Sequence, residues 1–260
     1  LKQHHPQAKR CVSHRLIACG LRSQRPPFIF MEEEDDCQVS IFDIELPESN
    51  EQPVPTEAIQ LSEEVEIVIE SACVQVWGSA RLLAAWLLTR EGRELVSNSA
   101  VLELGAGLGL PSIACAISGA SSAVATDMCQ GSIVALRRLL AQRYAATEWA
   151  GLVDMYVLNW RDCLEPSFTP QALSDVVIAA DCHYYTSALQ PLVAAMQKHL
   201  KSSGVLVLAS KEGRVSLDEG RALLLREGFT EIRRIPLRSE SLQLGLDDDH
   251  FATLYRAPSK

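Results

Sequence analysis

The stretch Val101–Pro111, with the sequence VLELGAGLGLP, decides how this 260-residue chain folds. It opens with a short run of mainly apolar residues, which predicts a buried strand. Three glycines at alternate positions follow, and the apolar run after Gly109 predicts a helix. Glycine lets the backbone adopt positive φ and pass close to a ligand. The stretch therefore predicts a strand, a tight ligand-binding turn and a helix.

The spacing of the glycines distinguishes between classes of cofactor. A dinucleotide fingerprint has the pattern G-x-G-x-x-G. Here Gly105, Gly107 and Gly109 follow the pattern G-x-G-x-G, and the acid Glu103 precedes them by two positions. This pattern suits a ligand with a cationic or amino-acid end better than a pyrophosphate, which disfavours a nicotinamide oxidoreductase. Taken alone, the motif is also compatible with a tight strand–helix turn that binds nothing.

Strands and helices alternate along the rest of the chain. Upstream, Val65–Glu70 reads as a strand and Ser79–Arg90 as an amphipathic helix, after which Gly92 is expected to loosen the chain. Continuous apolar strands separated by helices predict a parallel sheet covered on both faces. The further strands are predicted at 123–126, 155–158, 176–180, 204–209, 230–237 and 251–256, and the helices at 131–145, 187–200 and 217–227.

Charge divides the chain into a basic, an acidic and a nearly neutral block. The formal net charge of −9 argues against general binding to nucleic acid. The sequence contains no run of 18 apolar residues, so no membrane span is predicted. Residues 1–30 carry six bases and no acid, whereas residues 31–70 carry 14 acids and no base. We therefore predict a disordered or non-native segment over 1–60, basic in 1–30 and acidic in 31–60, followed by a folded domain over 61–260.

The eight cysteines form no C-x-x-C pair, and the histidines show no ligand spacing, so no metal site is predicted. Scattered cysteines in an α/β pattern are typical of reduced thiols. We therefore expect a cytoplasmic protein, with the nucleus as the alternative.

Polar and aromatic residues follow the predicted strands. Asp127 ends the second strand of the alternating series, where an acid binds ribose hydroxyls or caps the next helix. Asp181 and Tyr184 follow the buried strand 176–180, in a position to orient an incoming nucleophile. Trp77 and Trp160 stand at the ends of elements, where an indole stacks on adenine or fills the core.

Four segments in order give the chain its resemblance to a known family. They are Val76–Gly78 (VWG), Glu103–Pro111, Leu158–Trp160 (LNW) and Ala180–Tyr184 (ADCHY). Over residues 64–257 the chain resembles the class I S-adenosylmethionine-dependent methyltransferases. More narrowly, it is similar to the lysine methyltransferases called methyltransferase family 16, whose members modify non-histone proteins. The glycine motif indicates only the class, while D-x-x-Y in the last segment is more specific for the family.

The resemblance implies a Rossmann-like, doubly wound α/β fold. Its seven-stranded sheet would have helices on both faces, its last strand inserted antiparallel, and a short N-terminal β extension. The implied cofactor is S-adenosylmethionine. Glu103, Gly105, Ala106 and Gly107 would hold its methionine end, Asp127 its ribose and Trp160 its adenine, while Trp77 would close over it and Ala180 would give a backbone contact.

The resemblance also implies methyl transfer to a lysine side chain of a protein substrate, with Asp181 and Tyr184 as catalytic residues. A lysine ammonium, with a pKa of about 10.4, must lose a proton before it attacks. We therefore expect Asp181 to position the amine while water takes the proton. We expect a monomer with no membrane partner. We also expect no nucleic-acid partner, since the chain has no basic patch and no Asn-Pro-Pro-Tyr-type motif after the fourth strand. The alternatives are a methyltransferase of the same fold acting on histidine, arginine or a small molecule, and a cofactor-binding scaffold without catalysis.

Overall fold

The computed structural model describes residues 56–70, 76–183, 185–214, 216–238 and 249–259. Tyr184 and residues 1–55 of the predicted N-terminal segment lie outside these ranges. Among the described helices, none is both long enough and apolar enough to cross a membrane.

A seven-stranded sheet forms the centre of the molecule, as predicted. Its strands are β3 (Ala100–Leu104), β4 (Ser122–Asp127), β5 (Val153–Val157), β6 (Ser174–Ala180), β7 (Leu200–Lys211), β8 (Thr230–Leu237) and β9 (His250–Arg256). The strand order is β5-β4-β3-β6-β7-β9-β8, and β3 to β7 run parallel. The last strand, β9, lies antiparallel between β7 and β8, which confirms the predicted insertion.

Helices cover both faces of this sheet, because each carries one apolar stripe. On one face, Leu83, Ile113 and Leu136 pack into a buried cluster with the apolar side chains of the strands. On the other face, Leu192 and Leu224 do the same. The helices are α1 (Gly78–Leu87), α2 (Arg90–Val96), α3 (Leu110–Ile117), α4 (Gln130–Leu139), α5 (Thr186–His199) and α6 (Leu217–Arg226).

A two-stranded antiparallel hairpin forms the predicted N-terminal β extension. It pairs β1 (Thr56–Gln60) with β2 (Glu66–Glu70). The folded part thus begins at least five residues before the predicted boundary at residue 61. Strand β1 could not be predicted from composition, because it follows an acidic, proline-rich stretch. It is stabilised by pairing with β2 and by the burial of Ile59, which is 1% exposed.

The end of the first predicted helix also differs from the prediction. The helix expected over Ser79–Arg90 ends at Leu87, and Gly92 lies inside the separate helix α2 instead of loosening the chain. A Cβ atom at Gly92 would lie 2.3 Å from the carbonyl oxygen of Trp86 and 2.5 Å from Cα of Leu87. A glycine is needed at position 92 because the backbone of α2 passes close to the backbone at the end of α1. The helix predicted over 131–145 is α4, continued by a π-helical turn over Leu140–Tyr144.

We expect Gly92→Ala to lower the free energy of unfolding by about 1–3 kcal/mol, the usual cost of overpacking. The new methyl group would meet backbone atoms, which cannot move aside as a flexible side chain does. Gly151→Ala is the matched control, because nothing lies within 4 Å of its new Cβ. Urea denaturation followed by circular dichroism measures both variants. Equal midpoints for the two would contradict the backbone contact.

Candidate active site

The glycine-rich loop between β3 and α3 is the framework of the site. Gly105, Gly107 and Gly109 have φ values of +68°, +53° and +69°, a region that side chains disfavour. The Gly109 amide donates to the Ala106 carbonyl at 2.8 Å, and the Ala106 amide donates to the Thr126 carbonyl at 2.9 Å. The loop is therefore a closed turn fastened to the end of β4.

The same loop lies directly against the residues that follow β6. A Cβ atom at Gly105 would lie 2.6 Å from Sγ of Cys182 and 3.2 Å from the ring of Trp160. The Cys182 thiol in turn donates to the Leu104 carbonyl at 3.1 Å. The carboxyl ends of β3, β4 and β6 thus meet around one turn, where open α/β sheets bind their ligands.

Asp127 joins the loop to the start of α4. Its Oδ2 accepts a hydrogen bond from the Gly107 amide at 2.8 Å, and its Oδ1 accepts one from the Cys129 amide at 2.8 Å. The helix-capping alternative considered from sequence is wrong, because Cys129 precedes α4 and this helix has no side-chain cap; the bond to the Cys129 amide belongs to the turn before the helix. A carboxylate oxygen can accept more than one hydrogen bond, so capacity for ribose hydroxyls remains. The ribose role of Asp127 stays a prediction.

Glu103 lies buried beneath the loop, with 2% of its surface exposed. Its Oε2 accepts hydrogen bonds from the Ser112 amide at 2.9 Å and from the Ser112 hydroxyl at 2.5 Å. Burial raises the pKa of Glu103 to about 8, although the bonds from Ser112 oppose that shift. Glu103, on β3, thus holds the first turn of α3 through Ser112. Its contact with the methionine end of a cofactor stays a prediction.

Asp181 lies at the end of β6 in a strained backbone conformation. Its φ is +52°, and its amide donates to the Ala209 carbonyl at 2.9 Å. The side chain is buried, and Oδ1 has no hydrogen-bond partner. Helix α5 begins at Thr186 and is preceded by Tyr185, so Asp181 does not cap this helix. A buried carboxylate oxygen without a donor is suited to receive one from a ligand.

The two tryptophans of the site differ in exposure. Trp160 begins a 3₁₀ turn over Trp160–Leu164, lies half-buried beside Gly105, and has a buried Nε1 without an acceptor. Trp77 directly precedes α1 and is 54% exposed, with the Arg214 guanidinium 5.8 Å from its ring centroid. Ala180 ends β6, and its carbonyl accepts from the Cys182 thiol at 3.4 Å. Of the predicted set, the structure brings Glu103, Asp127, Trp160 and Ala180 to the loop. Trp77 lies beside Arg214, which pairs with Asp181, and Tyr184 lies outside the described residues.

Four residues of the site were missed by reasoning from sequence. Thr126 donates its hydroxyl proton to the Glu103 carbonyl at 2.6 Å, and Ser112 and Cys182 hold the loop from either side. The sequence did contain a sign that Ser112 belongs to the site, since it is a polar residue in the first turn of an otherwise apolar helix. Arg214 had none, because a charged residue in a turn is usually solvated.

The residues present fit a ligand that carries an amino-acid end, a ribose and a flat base. The loop has no Cβ at the points of closest approach, Asp127 has spare acceptor capacity, and Trp160 offers a buried, unpaired donor. Among the described residues, no group of three or more histidine, cysteine, aspartate or glutamate side chains is arranged to hold a metal ion.

The strand order, the glycine loop after β3 and the acid at the end of β4 define a Rossmann-like methyltransferase of class I. The glycopeptide N-methyltransferase MtfA, solved in complex with S-adenosyl-L-methionine, shares this fold with a TM-score of 0.52 and 16% identity. The similarity covers 65% of this chain and 86% of MtfA. It agrees with the predicted fold.

A family model described as lysine methyltransferase matches residues 55–219, and the chain belongs to this family. It is 29% identical over 212 residues to the protein-lysine N-methyltransferase rrg1 of Schizosaccharomyces pombe, covering 74% of this chain and 66% of that protein. It is 32% identical over 133 residues to the protein N-terminal and lysine N-methyltransferase efm7 of Aspergillus fumigatus, covering 49% of this chain and 51% of that protein. The chain thus spans between half and two thirds of the length of these curated relatives.

We expect Glu103→Gln to remove a pH dependence of stability. The pKa of Glu103 is about 8 in the folded protein against an ordinary value of 4.5, so the folded state binds the proton more tightly. Stability from this group is therefore fully present below pH 4.5 and is lost as pH rises towards 8, by up to about 1.4 kcal/mol per pH unit. Urea denaturation of wild type and variant at pH 5.5 and 7.5 measures the difference.

The exposed Glu94→Gln is the control for this comparison, since Glu94 pairs only with Arg90 on the surface of α2. From pH 5.5 to pH 7.5 the free energy of unfolding of wild type should fall relative to that of the Glu103→Gln variant. The Glu94→Gln control should show the same pH dependence as wild type. Parallel behaviour of all three proteins would contradict the raised pKa.

Proposed function

We propose that this protein transfers a methyl group from S-adenosylmethionine to the side-chain amine of a lysine in a protein substrate. The observation that carries the proposal is the position of Asp181. Its carboxylate oxygen Oδ1, which accepts no hydrogen bond, follows the end of β6, one residue before Cys182, which packs against the glycine loop. An acceptor for an amine N–H thus stands next to the turn where the family binds its cofactor. Membership of the lysine methyltransferase family supports the same acceptor.

S-adenosylmethionine supplies an electrophilic methyl group on a positively charged sulfur. Gly105 and Gly107 would let the backbone approach its methionine end, with Glu103 and Ser112 supporting the loop from below. Asp127 would accept from the ribose hydroxyls, and Trp160 would lie beside the adenine. Trp77, which is exposed directly before α1, would cover the site.

The protein's own part in the reaction is to hold the acceptor amine. A lysine with an ordinary pKa of about 10.4 carries no free lone pair at neutral pH. Asp181 Oδ1 would accept one N–H of the amine and so fix the direction of its lone pair, while the departing proton goes to water. Fixed orientation alone contributes up to about 7–11 kcal/mol of a reaction barrier in ideal cases.

His183 is unsuited to be the base for this proton. Its Nε2 lies 2.8 Å from the Ser210 hydroxyl oxygen, and burial lowers its pKa, with Asp181 opposing and Arg214 adding to that effect. We assign it a structural role in the segment after β6. Tyr184 as a second residue facing the amine stays a prediction. So do a monomeric state, the absence of a nucleic-acid partner, and a cytoplasmic location.

We expect the purified protein to transfer labelled methyl from S-adenosylmethionine to one protein in an extract of cells that lack it. Mass spectrometry should find the label on a lysine. Asp127→Ala should abolish transfer and weaken binding of S-adenosylhomocysteine at least about tenfold, or ~1.4 kcal/mol, because the loop loses its bond to β4. Asp154→Ala is the control, since Asp154 is exposed on β5.

Several outcomes of this experiment would overturn the assignment of lysine. Label on a histidine, an arginine or a small molecule would identify a different acceptor. Label on a protein's N-terminal amine would indicate N-terminal methylation, the other activity that the name of efm7 states. Cofactor binding without transfer to any extract component would favour a scaffold.

We expect Asp181→Asn to keep S-adenosylhomocysteine binding within about twofold and to slow methyl transfer roughly 10- to 100-fold. The amide cannot accept a charge-assisted bond, which is worth about 1.5–3 kcal/mol. Isothermal titration and the extract assay measure the two quantities on one preparation. Full turnover by the variant with its cofactor bound would show that Asp181 does not hold the amine.

A further inference from the structure

Arg214 is a cation that reaches the active site from the turn between β7 and α6. Its Nη2 lies 3.5 Å from Oδ1 of Asp181, and its guanidinium stands over the ring of Trp77. A third of the Arg214 side chain is exposed, whereas the Asp181 side chain is 5% exposed. The guanidinium therefore lies at the entrance of a site whose carboxylate lies inside.

The pair is held by charge but not by hydrogen bonds. Asp181 Oδ1 and Arg214 Nε are both buried, and both lack a hydrogen-bond partner. Arginine and carboxylate normally form short, bidentate bonds where they are partners for structural reasons. The separation and the two unsatisfied atoms mark this contact as one that a better-fitting donor can replace.

The backbone around Arg214 is anchored, in contrast to its side chain. The Arg214 carbonyl accepts from the Leu217 amide at 3.1 Å, and the Glu212 amide donates to the Asp249 carbonyl at 2.8 Å. Ser216 donates its hydroxyl proton to the His183 carbonyl, which ties this turn to the segment after β6. The guanidinium is thus kept near Asp181 and can leave it by rotation of the side chain alone.

We propose that Arg214 occupies the subsite for the charged end of the acceptor and that an acceptor amine must displace it. The identification of that amine as a lysine rests on the proposed function. Two cations cannot share Asp181 without strong repulsion at such short range. Arg214 is therefore a positioning residue that holds Asp181 and Trp77 in place and excludes weakly bound amines. A protein segment that also contacts the surface around the site can displace the Arg214 side chain. A free alkylamine, which makes no such contacts, displaces it poorly.

The test measures the affinity for n-butylammonium, a probe with the shape of a lysine side chain. Isothermal titration on the full chain, with and without S-adenosylhomocysteine, compares wild type with Arg214→Ala. We expect Arg214→Ala to bind the probe at least about tenfold more tightly, equivalent to ~1.4 kcal/mol, and the double variant Arg214→Ala/Asp181→Asn to lose that gain. Arg226→Ala controls for net charge, since Arg226 is exposed at the end of α6, and should behave as wild type.

Thermal melts verify that each variant is folded, and Arg214→Gln replaces Arg214→Ala if the latter is not. Equal affinities of wild type and the Arg214 variant for n-butylammonium would overturn the proposal, as would the lack of saturable binding to the variant. It would also be overturned if the double variant with Asp181→Asn kept the higher affinity. Because binding of the probe needs no methyl transfer, failure here is distinct from failure of the proposed function.

A second measurement asks whether the side chain at position 214 enters the acceptor subsite. Arg214→Lys replaces the guanidinium with a methylatable amine on the same anchored backbone. We expect this variant, incubated with S-adenosylmethionine, to acquire methyl groups at position 214, read by peptide mass spectrometry. Arg226→Lys should acquire none. A preparation that labels the cell extract but never position 214 would overturn the proposed occupancy.

Discussion

The hydrogen bond from the Gly107 amide to Asp127 Oδ2 is the interaction on which the site depends. It exists because three glycines take positive φ and turn the backbone amides of the loop towards the end of β4. The same turn lets Gly105 pack against Cys182 without a Cβ between them. One local constraint therefore joins the ends of three strands. Since β4 and β6 lie on opposite sides of β3, this place is also the switch point where doubly wound sheets bind ligands.

The carboxyl groups around this loop have different environments and so different properties. Glu103 is enclosed by α3 and the sheet, and burial raises its pKa to about 8, with the charge of Asp127 contributing. Asp127 lies nearer the surface and accepts two backbone amides, which leaves it suited to a polar ligand. Asp181 is buried like Glu103 but has an unsatisfied oxygen and a cation at 3.5 Å. Thus Glu103 supports the loop, while Asp127 and Asp181 carry the roles proposed for them towards the cofactor and the acceptor amine.

Much of the fold could be predicted from the order of residues, because alternating apolar strands and amphipathic helices leave periodic patterns. The strands from Ala100 to Arg256 appeared as expected, and the insertion of the last strand agrees with what the family resemblance implied. The errors fell where a non-local contact decides the structure. Strand β1 is stable because Ile59 is buried and β2 pairs with it, and Gly92 is required by the backbone of α1. Neither contact leaves a trace in the neighbouring sequence.

The turn after β3, the order of the elements and the family could be read from the sequence, since each depends on consecutive residues and their spacing. The folded chain brings Glu103 to Ser112 and raises its pKa by burial, and it sets Arg214 beside Asp181 and Trp77. The pKa of an acid depends on how completely the folded chain removes water from it. The meeting of Asp181 with Arg214 depends on two strands lying side by side, β6 and β7, whose ends bring distant residues together.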